Sequence, residues 1–373
     1  MGQPCEFGNR ERISRSAPCC CLPCRPTRKY PPVKIGVFDH FDRGHVPLGE
    51  HYENRLKLIE AYDRVGLYAY HVAEHHATPL GMVPSPNILM SAIAQRTRHL
   101  RFGALVHPLP LYHPLRLAEE ICMLDHLSGG RLEFGIGRGA SPHEIAYYGV
   151  DPDEAQARYF ESSAVVLKAL QGGNLNHKGK FFHFKNVPIE MTPVQRPHPA
   201  LWYGAWNANG VEWAARNKVN IVINLPAEAA RRITDGYRAA WRAASQESSG
   251  PAAALPLLGI NRFVAVADSE AQALAVARRA YPVWHRSFHR LFHLHGTRPA
   301  NAAYPASYDA AQAEGFAIAA GPETVRDTLV AQLEAAGSNY CVCRFAFGDT
   351  TLTESLHSLD LFAKIAMPAI AAM

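Results

Sequence analysis

The chain has 373 residues, 48% of them hydrophobic and 19% charged, a balance that suits a large buried core in one big domain or two. No run of about 18 apolar residues occurs, which argues against a membrane span, and no apolar stretch follows the first arginines, which argues against a secretory signal peptide. The formal net charge of +5 is concentrated at the N-terminus, where Arg10, Arg12, Arg15, Arg25, Arg28 and Lys29 face only Glu6 and Glu11; the remainder is near neutral and lacks the footprint of a nucleic-acid-binding surface.

Five of the eight cysteines (Cys5, Cys19, Cys20, Cys21 and Cys24) also lie in this segment, and Cys122, Cys341 and Cys343 are scattered through the body. That distribution is not a disulfide framework and points to a reducing compartment, the cytoplasm. Residues 1–32 lack hydrophobic periodicity and read as a disordered extension. Cys21 and Cys24 have the spacing of half a zinc site, but no second pair and no histidine accompany them, so no metal is expected.

From Val33 a rhythm sets in. Candidate strands Val33–Phe38, Tyr68–Ala73, Leu100–Val106, Arg131–Gly137, Leu201–Ala205, Val219–Leu225, Leu258–Ala267 and Tyr340–Phe347 alternate with helical patterns. Gly66 and Gly129-Gly130 sit where helices stop, Ser85-Pro86 and Asp151-Pro-Asp-Glu154 where helices start, and Ser269 caps a long alanine-rich helix. A β-hairpin excursion is expected between Gly179 and Pro199, and a last helix over 354–366. Eight strand–helix units in this length predict an α/β protein, a (β/α)₈ TIM barrel spanning 33–373, with insertion loops at the C-terminal face where the chemistry sits.

Four strand ends carry candidate residues. Gly135-Ile-Gly137-Arg138-Gly139-Ala140 ends the fourth strand with glycines, which allow close backbone approach, and with a permanently charged fork suited to a phosphate. It matches a loose dinucleotide fingerprint, yet it follows the fourth strand rather than the first, which disfavours a Rossmann fold. Glu74-His75-His76 ends the second strand. Adjacent residues point apart, so two metal ligands do not converge there; His75 alone is a candidate general base or a structural histidine. Trp206-Asn207-Ala-Asn-Gly210 opens a helix at which Asn207 could cap and a phosphate could bind. Leu105-Val106-His107-Pro108 offers an apolar floor for a flat ring, or ordinary core.

Together with His113-Pro-Leu-Arg116-Leu-Ala-Glu119, Leu124-Asp-His-Leu-Ser-Gly-Gly-Arg131, Val211-Glu-Trp-Ala-Ala215 and Gly321-Pro-Glu-Thr-Val325, these motifs resemble the bacterial-luciferase-like flavin-dependent monooxygenase family from about Val33 to Pro368. The resemblance implies a homodimer that takes FMN reduced by a separate flavin reductase, forms a flavin C4a-peroxide with O₂, and oxygenates a small organic substrate. It implies a catalytic role for His75 and places Glu74, Leu105, Val106, Gly137, Arg138, Gly139, Trp206, Asn207 and Gly210 at the cofactor. Arg138 would meet the phosphate, and the Leu105–Val106 peptide bond would be cis beneath the flavin ring. Departures from the luciferase large subunit stand at Gly137 (a reactive cysteine there), Trp206 (an acidic residue there) and Gln156, where a second phosphate-binding arginine is expected and Arg158 lies close by. They leave flavin binding as the expectation, argue against light emission, and keep open F420-dependent hydride transfer or a flavin-binding protein without catalysis.

Overall fold

The computed structural model describes residues 33–247, 254–299 and 304–373; the extension expected over 1–32 lies outside them. The strands are β1 (Lys34–Asp39), β2 (Ala69–Val72), β3 (Arg101–Pro108), β4 (Leu132–Gly137), β5 (Gly173–Lys178), β6 (His183–Ile189), β7 (Ala200–Ala205), β8 (Asn220–Ile223), β9 (Leu258–Val266), β10 (Ala317–Ala320) and β11 (Tyr340–Arg344). The helices are α1 (Leu48–Arg64), α2 (Pro86–Arg96), α3 (Pro114–Leu127), α4 (Pro142–Tyr147), α5 (Ala155–Ala169), α6 (Val211–Arg216), α7 (Ala227–Glu247), α8 (Glu270–Leu294), α9 (Tyr308–Ala313), α10 (Pro322–Ala336), α11 (Leu352–Leu361) and α12 (Met367–Ala371).

Strands β9, β11, β1, β2, β3, β4, β7 and β8 pair in that order, all parallel, and β8 pairs with β9 to close the ring. This is the expected (β/α)₈ barrel. Three elements differ from expectation. β10 is an additional parallel strand, pairing with Phe263–Val266 beyond the point where β8 leaves β9 at Ile260. The hairpin begins earlier, as antiparallel β5 and β6, because its first strand is largely polar and exposed. Helix α5 also starts later than the Asp151 signal suggests: Asp151 accepts from the Asp153 N–H instead of capping, and helix begins at Ala155.

Alternation along each strand sends one face inward and the other toward the helices. Phe38, Ala73, Trp202, Val222, Tyr340 and Val342 meet inside the barrel. Tyr340 fits because position 36 is glycine; a Cβ there would lie 1.8 Å from the Tyr340 hydroxyl. Below this layer the fully buried Glu133 accepts from Trp202 Nε1, from the Tyr68 hydroxyl at 3.3 Å and from Arg101 Nε. Burial raises the Glu133 pKa, and these donors, Arg101 above all, oppose the shift; an isolated buried carboxylate would be strongly unfavourable. The barrel is thereby filled by side chains toward the N-terminal ends of its strands.

Candidate functional site

The second strand delivers Glu74, His75 and His76 to the rim, and the short helix α4 comes over from β4 to meet them. Ser141 caps α4 by accepting from the Glu144 N–H at 3.4 Å. That places Glu144 Oε1 3.1 Å from His75 Nδ1. A carboxylate only accepts, so Nδ1 carries the hydrogen and the Nε2 lone pair of His75 is left free. His76 is held differently: its Nε2 pairs with Glu74 Oε1 at 3.0 Å and its Nδ1 with the Tyr148 hydroxyl at 2.8 Å. Glu74 is buried, which raises its pKa, and its second oxygen accepts from Tyr112. The two histidines thus address different carboxylates. Both Glu74 oxygens are engaged by protein, although the resemblance puts this residue at the cofactor.

His40, at the end of β1, stacks on His75 with ring centroids 5.6 Å apart and accepts at Nδ1 from Trp284 Nε1 at 3.1 Å. Burial, reinforced by the nearby Arg344 cation and by His75, holds its pKa well below the ordinary imidazole value, so His40 is neutral. Glu144 and Tyr148 carried no sequence signal as site residues; His40 is marked only as a strand-end position, and Trp284, expected in an irregular loop, lies within α8. The α4 pattern is only six residues long, and the hydrogen-bonded partners His75 and Glu144, and His40 and Trp284, are brought together from 69 and 244 positions apart.

At the end of β4, two strands along from β2, Arg138 is exposed, and its one described hydrogen bond runs from Nε to the neighbouring Gly139 carbonyl at 3.5 Å. Its charge reaches Tyr203 of β7, where it opposes the rise that burial imposes on the phenol. The same hydroxyl lies 3.6 Å from where a Cβ of Gly210 would stand. Arg138, Tyr203 and Gly210 therefore converge, with Gly139 and Gly210 in left-handed conformations at φ +97° and +79°. Asn207 does not cap α6. Its Oδ1 accepts from Asn209 N at 2.8 Å within the loop, and Gly210 occupies the N-cap of a helix of six residues. Trp206 meets Tyr304 edge-on, centroids 6.3 Å apart. Arg158 lies over the Phe181 and Phe182 rings of the hairpin, at 5.5 and 5.1 Å.

Between the two sides, the Leu105–Val106 peptide bond is cis, with both side chains half-buried. A Cβ at Gly137 would lie 2.3 Å from Val106 Cγ2, so glycine at 137 and valine at 106 fit as a pair. His107 is interior, with Nδ1 3.1 Å from the Gly135 carbonyl and Nε2 2.9 Å from Asn87 Oδ1; burial lowers its pKa to about 4, so the neutral ring donates to one of these two acceptors. The rim thus offers a cationic, glycine-lined cradle on one side, a paired histidine on the other and an apolar step between them. A phosphate attached to a flat ring suits that donor set.

Comparison with known proteins identifies the family to which this barrel belongs. A family model described as luciferase-like monooxygenase matches residues 33–340, and the chain belongs to that family. It is 44% identical over 333 residues to an uncharacterized Sinorhizobium fredii protein, y4wF, covering 89% of this chain and 96% of that one. It is 30% identical over 252 residues to the oxygenase component of a flavin-dependent trigonelline monooxygenase from Acinetobacter baylyi, covering 66% and 68% of the two chains. Two solved structures share the fold: the oxygenating constituent of 3,6-diketocamphane monooxygenase from Pseudomonas putida in complex with FMN (TM-score 0.73, 20% identity, covering 90% and 98%), and an F420-dependent secondary alcohol dehydrogenase (TM-score 0.68, 16% identity, covering 91% and 99%). The protein is a luciferase-like monooxygenase. No helix among the described residues is long and apolar enough to cross a membrane.

Proposed function

We propose that this monooxygenase uses FMN, reduced by a separate flavin reductase, and O₂ to oxygenate a small organic molecule. The observation that carries the reading is the His75–Glu144 pair at the rim, set across the apolar Leu105–Val106 step from the unpaired Arg138. Arg138, Gly139 and Gly210 fit the phosphate, with Tyr203 closing the cradle; Leu105, Val106 and Gly137 fit the ring. When bound, reduced FMN supplies the electron pair with which dioxygen is cleaved, one atom entering the substrate and the other leaving as water. The protein's part is positional and protonic. The Nε2 of His75 takes or returns a proton at the reacting centre, Glu144 stabilises the imidazolium, and neutral His40 backs the ring without competing for that proton.

An A. baylyi relative carries the name of an oxygenase component, which supports the separate reductase. Exposed Ile88, Met123 and Leu127 on neighbouring α2 and α3 support a homodimer through that face, to be checked by light scattering of the eluted species. The competing reading, hydride transfer with F420, draws on the shared fold. Equilibrium binding of FMN, reduced FMN and F420, followed by oxygen uptake with an independent reductase, separates the two. FMN preference with substrate-coupled uptake supports the proposal, whereas F420 binding without uptake rejects it.

A further inference from the structure

Arg344, the last residue of β11, points into the barrel at the level of the rim and is 3% exposed. Its guanidinium carbon lies 4.4 Å from the Phe263 ring centroid, 4.9 Å from Phe38, 5.4 Å from Trp284 and 5.8 Å from Tyr304. Nε donates to Asn261 Oδ1 at 3.2 Å and Nη2 to the Tyr304 hydroxyl at 3.4 Å, while Nη1 is buried with no hydrogen-bond partner. No carboxylate among the described residues forms an ion pair with it; Asp42, whose charge reaches it, is engaged by Arg55 at 3.9 Å and by the Gly348 N–H at 2.5 Å. A guanidinium keeps its charge near neutral pH, and a buried cation without a counter-anion is unfavourable. Aromatic faces return part of that cost, but they leave the in-plane N–H groups unanswered.

The position of this cation is informative. Trp284, which Arg344 faces, donates to His40, and His40 stacks on His75. Arg344 is therefore one ring removed from the wall that holds the catalytic histidine, on β11 between β1 and β9, whereas Arg138 and its phosphate cradle lie on β4 and β7. We infer that Arg344 is the anion-recognising group of the substrate subsite, taking the carboxylate of an organic acid whose unsaturated or apolar body lies against the surrounding rings. This specifies the substrate class and rests on the oxygenase reading of the rim. Asn261 acts as a positioning residue: it fixes Nε and is itself tied to Asn224 Oδ1 at 2.8 Å.

The test is equilibrium binding to the FMN-loaded protein, read by quenching of tryptophan fluorescence, so it does not depend on turnover. Benzoate and phenylacetate are compared with benzamide and phenylacetamide, and FMN affinity is measured on the same samples. Wild type should prefer the acids roughly tenfold to a hundredfold, the worth of a charge-assisted hydrogen bond. Arg344→Met should erase the preference and Arg344→Lys should keep part of it, with FMN affinity within about twofold in both. Equal binding of acids and amides by wild type overturns the inference, as does a preference that survives in Arg344→Met. A loss of FMN affinity in Arg344→Met equal to the loss of acid binding assigns the arginine to the cofactor and also overturns it. Should neither variant fold, Asn261→Ala decides: an unchanged acid preference rejects the subsite. Oxygen uptake is measured separately, so failure of the oxygenase reading is distinguishable from failure of this one.

Discussion

His75 Nδ1 and Glu144 Oε1 lie 3.1 Å apart, joining the end of β2 to the first turn of α4. The bond fixes the imidazole tautomer and aims its basic nitrogen at the rim. His75→Ala should lower product formation by about 10² to 10⁴, the usual worth of a general base, with hydrogen peroxide released in place of product. Glu144→Gln keeps an acceptor but loses the charge and should cost about tenfold to a hundredfold. The double variant should be no slower than His75→Ala, because the two act as one unit. Independent, multiplicative losses measured by product formation and peroxide assay would show that they do not.

Arg138 is expected to hold the phosphate. Arg138→Ala should weaken FMN by roughly 1.5–3 kcal/mol through loss of a charge-assisted contact, while riboflavin, lacking the phosphate, should bind variant and wild type alike. Fluorescence titration of both ligands checks this. An equal loss for riboflavin would mean that the arginine supports the fold and not the ligand.

Gly137 and Val106 are expected to be coupled. A methyl at 137 would overlap Val106 Cγ2, so Gly137→Ala should destabilise by about 1–3 kcal/mol, as overpacking does. Adding Val106→Ala should return much of that loss, a non-additivity visible in urea unfolding of the four species. Simple additivity would show that the strand ends move apart instead.

His71 predicts a pH dependence. It is fully buried inside the barrel beside Tyr340, with Nε2 2.9 Å from that hydroxyl, and burial lowers its pKa to about 3 from the ordinary 6.5. The unfolded chain binds a proton there that the folded chain does not, so this contribution to stability is present above pH 6.5 and lost as pH falls from there toward 3. From pH 7 to pH 5 the wild type should lose about 2 kcal/mol more than His71→Gln. Urea titrations of both proteins at the two pH values check the difference. Using the difference cancels the other buried groups, including Asp42, whose carboxyl burial raises to about 7 and which works in the opposite direction. A constant difference would place His71 in contact with solvent.

The barrel was legible because its signals are local and repeated. Each buried parallel strand is a short apolar run, and glycines such as Gly66 and Gly337 end helices in left-handed conformations where the sequence says they should. β10 was not legible: Ala-Ile-Ala-Ala is short, alanine-rich and flanked by helices. On the site, strand ends located His75 and Arg138, because both follow directly from where apolar runs stop. Their partners could not be found that way. Glu144 and Tyr148 sit in a segment with too few turns to show periodicity, and Arg344 reads as an ordinary strand residue until the chain closes around it. Asn207 illustrates the opposite error, since a residue able to cap α6 spends its oxygen on its own loop.

The plug formed by Glu133, Arg101, Trp202 and Tyr68 has a consequence for traffic. It makes the barrel a vessel with one mouth. On the proposed function, cofactor, organic molecule, oxygen and departing water would all share a single doorway, and whichever arrives last would act as the stopper for those already inside. Order of entry then becomes a property of the architecture: a deep occupant can leave only after the shallow one has gone.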